Sequence, residues 1–162
     1  MQKVIVIGCP GSGKSSFARK LRDRTGLPLI YLDMLFHRPD RTTVDREAFD
    51  ARLSEVLAGD RWIIDGNYVR TLETRLLACD TVFYLDIPLE DCLAGAAARI
   101  GVLREDLPWV ETEFDADFRQ WILDFPQRDA PRIAELLAQY GAEKTVVVFH
   151  SRAEADRYLA AL

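Results

Sequence analysis

No apolar run in this sequence of 162 residues approaches the ~18 that a membrane-spanning helix needs. The four apolar residues before Gly8 are also too few for the core of a secretory leader. Cysteine is sparse: Cys9, Cys79 and Cys92 give neither a CxxC pair nor a metal-ligand spacing. That excludes a disulfide framework and suits a reducing compartment. An excess of basic charge is missing too. Lys and Arg number 21 against 26 Asp and Glu, a net charge of −5. Without a general basic field, neither nucleic acid nor an anionic membrane is an expected direct partner. His37 and His150 stand far apart, without a visible carboxylate or cysteine partner, so neither reads as a metal ligand or triad base. Repeats and low-complexity segments are absent. A single cytoplasmic domain over residues 1–162 is expected.

What is present begins at the N-terminus. Gly8-Cys9-Pro10-Gly11-Ser12-Gly13-Lys14-Ser15 is G-x-x-x-x-G-K-[ST], a phosphate-binding loop or Walker A motif. Its context has the required order. The β-branched run Val4-Ile5-Val6-Ile7 precedes it, as in a parallel strand buried on both faces. Phe17, Ala18 and Leu21 follow at helical spacing until Gly26-Leu27-Pro28. Glycines let the backbone curl so that N–H groups face a phosphate, and the helix N-terminus adds positive partial charge. The expected nucleotide contacts are therefore Gly8, Cys9, Pro10, Gly11, Ser12, Gly13, Lys14, Ser15 and Ser16. Lys14 reaches the terminal phosphates and Ser15 ligates Mg²⁺ in this reading; Cys9 is simply a variable loop position.

Four more strands are expected: Leu29–Leu32 delivering Asp33, Trp62–Ile64 ending in Asp65, Thr81–Leu85, and Thr145–Phe149. Met34 to Arg41 reads as a substrate-side loop. Asp45 should cap a helix carrying Phe49, Leu53, Val56 and Leu57, and Leu72, Leu76 and Leu77 mark a short one. A helix entered at Pro88 carries Leu89, Cys92, Leu93 and Ala96. One from Asp129 stops at Gly141, and the last turns Ala155, Tyr158, Leu159 and Leu162 inward. Residues 101–128 break the alternation. There Phe114, Phe118, Trp121, Ile122 and Phe125 recur as one helical stripe, either a helix on the core or a lid over the nucleotide. Short apolar strands alternating with helices predict an α/β fold whose five-stranded parallel sheet is covered on both faces, with ligands at the strand C-termini.

Phosphoryl transfer needs Mg²⁺, cations along the moving group and an oriented acceptor. Asp65 suits a metal-bound water or a turn before Gly66; Asp33 suits a proton acceptor, a Mg²⁺ contact or a loop cap. Asp86, followed by Ile87-Pro88, reads as a helix-entry residue rather than a catalytic one. Arg99, Arg128 and Arg132 are the candidate phosphate cations, with Arg128 and Arg132 close enough to converge on one anion. Arg70 lies on the acceptor side with Asn67. Arg152, after the fifth strand, could lay its planar head against a nucleobase. Each arginine is equally a candidate for the solvated surface.

Gly8–Ser15, Tyr31-Leu32-Asp33, Trp62–Tyr68 and Phe83–Pro88 together resemble the adenylate kinase-related small P-loop proteins, closest to the DNA topology modulation proteins of the FlaR type. Phe118–Pro126, Arg128, Arg132 and Ser151-Arg152 resemble that group's C-terminal half. The resemblance implies a P-loop NTPase, nucleoside monophosphate kinase-like three-layer α/β/α sandwich. Strand order 2-3-1-4-5, ATP and Mg²⁺ come with it. Two departures touch the acceptor. The aspartate-glycine-phenylalanine-proline-arginine grip of adenylate kinases is here Asp65-Gly66-Asn67-Tyr68-Val69-Arg70. The arginine-rich lid is replaced by an acidic segment, in which Arg104 and Arg119 face Glu105, Asp106, Glu111, Glu113, Asp115 and Asp117. A kinase for a small acceptor, nucleoside monophosphate or hydroxyl metabolite, is expected. The alternative is a nucleotide-binding regulator or slow ATPase affecting DNA topology.

Overall fold

Five apolar runs become strands in the computed structural model, which describes residues 1–162: β1 (Lys3–Gly8), β2 (Leu29–Tyr31), β3 (Trp62–Asp65), β4 (Thr81–Leu85) and β5 (Thr145–Phe149). All pair in parallel, in the order β2-β3-β1-β4-β5. Central β1 has Val4 to Ile7 fully buried, so both faces of the sheet are covered there. That explains why its side chains do not alternate with polar ones. The register sets Val6 beside Asp65 on one flank and Gly8 beside Leu85 on the other. Chain segments leaving β1 and β3 thus emerge side by side.

The connections are α1 (Lys14–Thr25), α2 (Leu32–Phe36), α3 (Arg46–Leu57), α4 (Leu72–Ala78), α5 (Leu89–Ala98), α6 (Ala116–Leu123), α7 (Phe125–Arg128), α8 (Ala130–Tyr140) and α9 (Arg152–Ala160). Helix α1 packs on α9, and α4 packs on α8. Local chemistry fixes their ends. Asp45 accepts the Ala48 N–H at 2.7 Å and starts α3, and the Ser151 side chain caps α9. One cluster of 33 buried residues forms the core. Within it, Phe17 lies between Phe83 and Phe149, with ring centroids 4.9 and 5.3 Å away. This clamps α1 on the sheet behind the glycine loop. No helix is long and apolar enough to cross a membrane.

The structure departs from the sequence reading in three places. The second strand stops at Tyr31, and Leu32–Phe36 is a helix rather than the start of a loop. Leu32 anchors that turn by being fully buried. The aromatic stripe is not continuous: Phe114 precedes α6, Trp121 is 51% exposed, and only Ile122 and Phe125 are buried. Asp124 ends α6 and Pro126 starts a new turn, so the spacing spans two helices. Leu162, expected inward, is 52% exposed.

Candidate functional site

The loop after β1 is shaped by two glycines, one without room for a side chain and one in a left-handed conformation. A Cβ on Gly11 (φ +80°) would lie 2.0 Å from the Cys92 carbonyl oxygen, and Gly13 takes φ +102° at the start of α1. The turn closes through Ser12 N–H donating to the Cys9 carbonyl at 3.1 Å, and Lys14 Nζ folds back to that same oxygen at 3.0 Å. Helix α1 has no side-chain cap and no acidic residue in its first turn. Its first N–H groups and its dipole therefore favour an anion at the loop. Arg152 braces the loop from outside, donating to the carbonyls of Gly11 at 2.8 Å and Ser12 at 3.3 Å and to that of Asp91 at 2.9 Å.

Cys9 is more than a filler. It is buried beside Cys92 from α5, and that neighbouring thiol and burial push its own thiol well above the ordinary range. No spacing rule could pair residues so far apart. Buried there, the thiol packs the loop against α5.

Asp65 ends β3 opposite the loop. Ser15 Oγ donates to its Oδ2 at 2.5 Å, while Oδ1 is buried without a hydrogen-bond donor. Burial pushes this carboxyl up to about 6, outweighing the downward pull of Lys14 and of Ser15. Asp33, in the first turn of α2, accepts the Tyr68 hydroxyl at 2.6 Å. Tyr68 is held in place by stacking on Phe49, with centroids 5.3 Å apart. No group of three or more His, Cys, Asp or Glu side chains is arranged to hold a metal ion. A cation beside Ser15 and Asp65 would take its other oxygens from water or a phosphate.

The folded value of Asp65 lies above its unfolded value of 3.8, which gives a signed prediction. The free protein keeps the contribution of neutral Asp65 below pH ~4 and loses it as pH rises through about 6. Asp65→Asn keeps a Ser15 acceptor without the charge. The variant should therefore gain stability relative to wild type as pH rises from 4 to 7, read by urea unfolding at each pH. A difference that stays constant would show that Asp65 ionises as freely as in the unfolded chain.

Two cavities meet at these residues. One, of about 510 Å³, runs from the loop past Gly95 and Arg152. The other, of about 920 Å³, extends over Asp33, Asp65, Asn67 and Tyr68 to Trp109 and Trp121. Lys14, Ser15, Arg99, Arg104 and Asp106 line both. Lys14 and Arg99 make no ion pair, and Arg99 Nε lacks a hydrogen-bond partner, with its guanidinium 6.0 Å from the Phe118 ring centroid. They are the free cations of the junction.

The other arginines are committed elsewhere. Arg132 pairs with Glu135 at 2.8 Å and lines neither cavity, so it does not converge with Arg128 on an anion. Arg128 stacks on Trp121 at 3.5 Å and donates twice to Asp129, which in turn accepts from Asn67 at 3.2 Å. Asn67 Oδ1 accepts the Gly8 N–H at 3.4 Å, so Arg128, Asp129 and Asn67 form a strut to the loop. Arg70 grips Asp50 through two hydrogen bonds, though it lines the larger cavity. Asp86 lies 3.5 Å from His150 Nδ1, a carboxylate partner the sequence did not reveal.

Sequence reasoning passed over Arg75, Tyr68 and Trp109. Arg75 is completely buried and donates to the carbonyls of Gly66, Asn67 and Tyr68 at 2.9, 2.7 and 3.0 Å. Its only sequence signal is a charge four residues after Thr71, on an otherwise leucine-lined helix.

Fold and site together define an α/β protein with an all-parallel sheet whose anion-ready glycine loop separates two cavities. No family model matches the chain, and no curated protein does either.

Proposed function

We propose that this chain is a P-loop phosphotransferase of the nucleoside monophosphate kinase-like kind. It moves the γ-phosphoryl of ATP to a hydroxyl of a small acceptor. The observation that carries the reading is the pair of cavities meeting at Lys14, Ser15 and Arg99. A protein that only holds or slowly hydrolyses ATP has no use for a second cavity larger than the first. The resemblance to the FlaR-type proteins supports the same fold assignment.

The loop N–H groups and Lys14 hold the phosphates, and Arg99 faces the moving phosphoryl from both cavities. The Ser15 hydroxyl and the unpartnered Asp65 Oδ1 fit Mg²⁺, which prefers hard oxygens and keeps several waters. When bound, that ion would neutralise phosphate charge. Asp33, on the acceptor side, takes the hydroxyl proton as the acceptor oxygen bonds to phosphorus and the bond to ADP breaks. A regulator that grips DNA directly fits less well. The acidic sequence offers few groups to neutralise phosphates, and any complex seen at low salt should dissolve near ~150 mM.

The test is thermal. ADP with Mg²⁺ at about a hundred times Kd should stabilise the fold by roughly 2.7 kcal/mol, raising Tm by about 5–10 °C. Lys14 is half-exposed and makes one hydrogen bond, so Lys14→Ala should fold normally and lose most of the shift. An unchanged shift would place the nucleotide elsewhere. ADP release that no acceptor stimulates would favour the regulator.

A further inference from the structure

Between α5 and α6 the chain loops out over residues 101–111, and the Gly101 N–H closes the base by donating to the Glu111 carbonyl at 2.7 Å. Two neighbouring carboxylates tie this loop to the rest of the fold. Glu105 works at the surface, accepting from Arg22 on α1 and from the Tyr31 hydroxyl, both at 3.0 Å. Asp106 is only 3% exposed and lines both cavities. There it stands among the cations that a phosphate at the glycine loop would meet. Arg104 lies 3.3 Å from its Oδ2, and Arg19, one turn along α1 from Ser15, lies 3.8 Å from its Oδ1. Both arginines line the smaller cavity together with Gly13 and Lys14. The charge of Asp106 also reaches Asp65, adding to the burial that raises that carboxyl.

A second observation concerns hydrogen bonds rather than charge. The contact of Arg19 with Asp106 is too long to be one. Arg19 Nη1 has no acceptor and Asp106 Oδ1 has no donor, although both atoms are buried. Arg99 Nε is unmet in the same cavity. Buried donors of this kind are costly until an acceptor reaches them, and phosphate oxygens form the strong, charge-assisted bonds that guanidinium groups favour. Two guanidinium donors are thus open to an anion at a place where a carboxylate repels it. Arg104 would not be orphaned if Asp106 moved away, because Glu111 lies 3.3 Å from its other terminal nitrogen.

We propose that Asp106 is a built-in competitor for the phosphates of the nucleotide. In the free protein it holds Arg19 and Arg104 with its own negative charge. A polyphosphate anchored by the glycine loop and Lys14 displaces it and takes over these arginines. The assignment rests on the glycine loop being the phosphate site and adds how that same site is restrained. Competition of this sort is a coupling between two occupants of one set of cations, and such couplings are typically worth about 5–150-fold in affinity.

The experiment is calorimetry on the full chain with Mg²⁺, using tripolyphosphate and ADP as probes. Asp106→Asn keeps the shape and removes the charge, so it should tighten both ligands by about fivefold or more. Arg19→Gln removes a cation that the phosphates need once Asp106 has moved, and should weaken tripolyphosphate by about fivefold or more. Arg19 is partly exposed, so this variant should fold, and its result decides the matter even if Asp106→Asn does not fold. Glu105→Gln loosens the loop without touching either arginine, and should leave both affinities within about twofold. Unchanged or weaker binding in Asp106→Asn overturns the assignment, as does an equal gain in Glu105→Gln, since Asp106 would then only fasten the loop. An Arg19→Gln protein that binds tripolyphosphate like wild type overturns it too. Lys14→Ala separates the two readings. If it abolishes ADP binding while Asp106→Asn changes nothing, the nucleotide site stands and the competitor falls. If ADP binds Lys14→Ala as well as wild type, the phosphate site lies elsewhere and both fall.

Discussion

Asp33→Asn should lower acceptor-stimulated phosphoryl transfer on the order of 10²–10⁴-fold, the usual cost of removing a positioned base. The substitution isolates the charge. Asp33 accepts the Tyr68 hydroxyl at 2.6 Å through Oδ1, and an asparagine oxygen accepts the same bond. Tyr68 in turn stays stacked on Phe49, so the cavity wall keeps its shape. What disappears is an acceptor for the hydroxyl proton. Asp33 lines the larger cavity and not the smaller one, so Mg·ADP affinity should stay within about twofold of wild type. Coupled ADP release beside a calorimetric ADP titration separates the two quantities. Turnover that survives in Asp33→Asn would reduce Asp33 to a partner of Tyr68. A parallel loss of ADP affinity would instead mean that α2 supports the nucleotide side.

The central strand was legible because a parallel sheet covered on both faces leaves a continuous apolar run, Val4–Ile7. The edge run Thr145–Phe149 was legible from its β-branched residues, although Val148 is 39% exposed. The loop was legible because its glycines are imposed by local sterics, seen at Gly11 and Gly13. Asp65 could be flagged as a residue ending an apolar strand, and Asp45 as a cap, for equally local reasons. Side-chain partnership across the fold is another matter. Nothing near Arg70 announces Asp50, and nothing near Arg132 announces Glu73, although Glu135 three residues on could be read as its partner on the same helix. Arg128 was found for its position but not for its role, since Trp121 and Asp129 engage all three of its nitrogens. The aromatic spacing of residues 114–125 misled because periodicity cannot see the break at Asp124. Cys9 and Cys92 meet only because α5 returns against the loop. Residues that touch a strand end or a turn are readable locally; residues whose role is to hold another segment are not.

Arg75 is the largest case of that second kind, and its loss should be the most damaging to stability. The guanidinium is fully buried and faces no carboxylate; carbonyls compensate its charge, three from Gly66 to Tyr68, with Thr71 Oγ1 as a fourth acceptor at 3.2 Å. Burial lowers its pKa to about 10, so it remains charged at neutral pH. Removing one side of such a buried arrangement orphans the other, and comparable changes cost about 3–5 kcal/mol. Arg75→Ala should therefore lower Tm by roughly 6–20 °C for a chain of this size. Arg75→Lys should recover only part of this, because an ammonium lacks the planar fork that reaches several carbonyls at once. The same carbonyls belong to the segment carrying Asn67, which meets Gly8, and Tyr68, which meets Asp33. Turnover of the folded variant, measured well below its Tm, should thus fall in kcat more than ADP affinity weakens. Arg132→Ala is the contrast. It removes an exposed, solvent-screened pair that contributes little to stability and should leave turnover unchanged. Equal stability of the two variants in urea would mean that the carbonyls of residues 66–68 find water when Arg75 is gone, and that the segment needs no internal support.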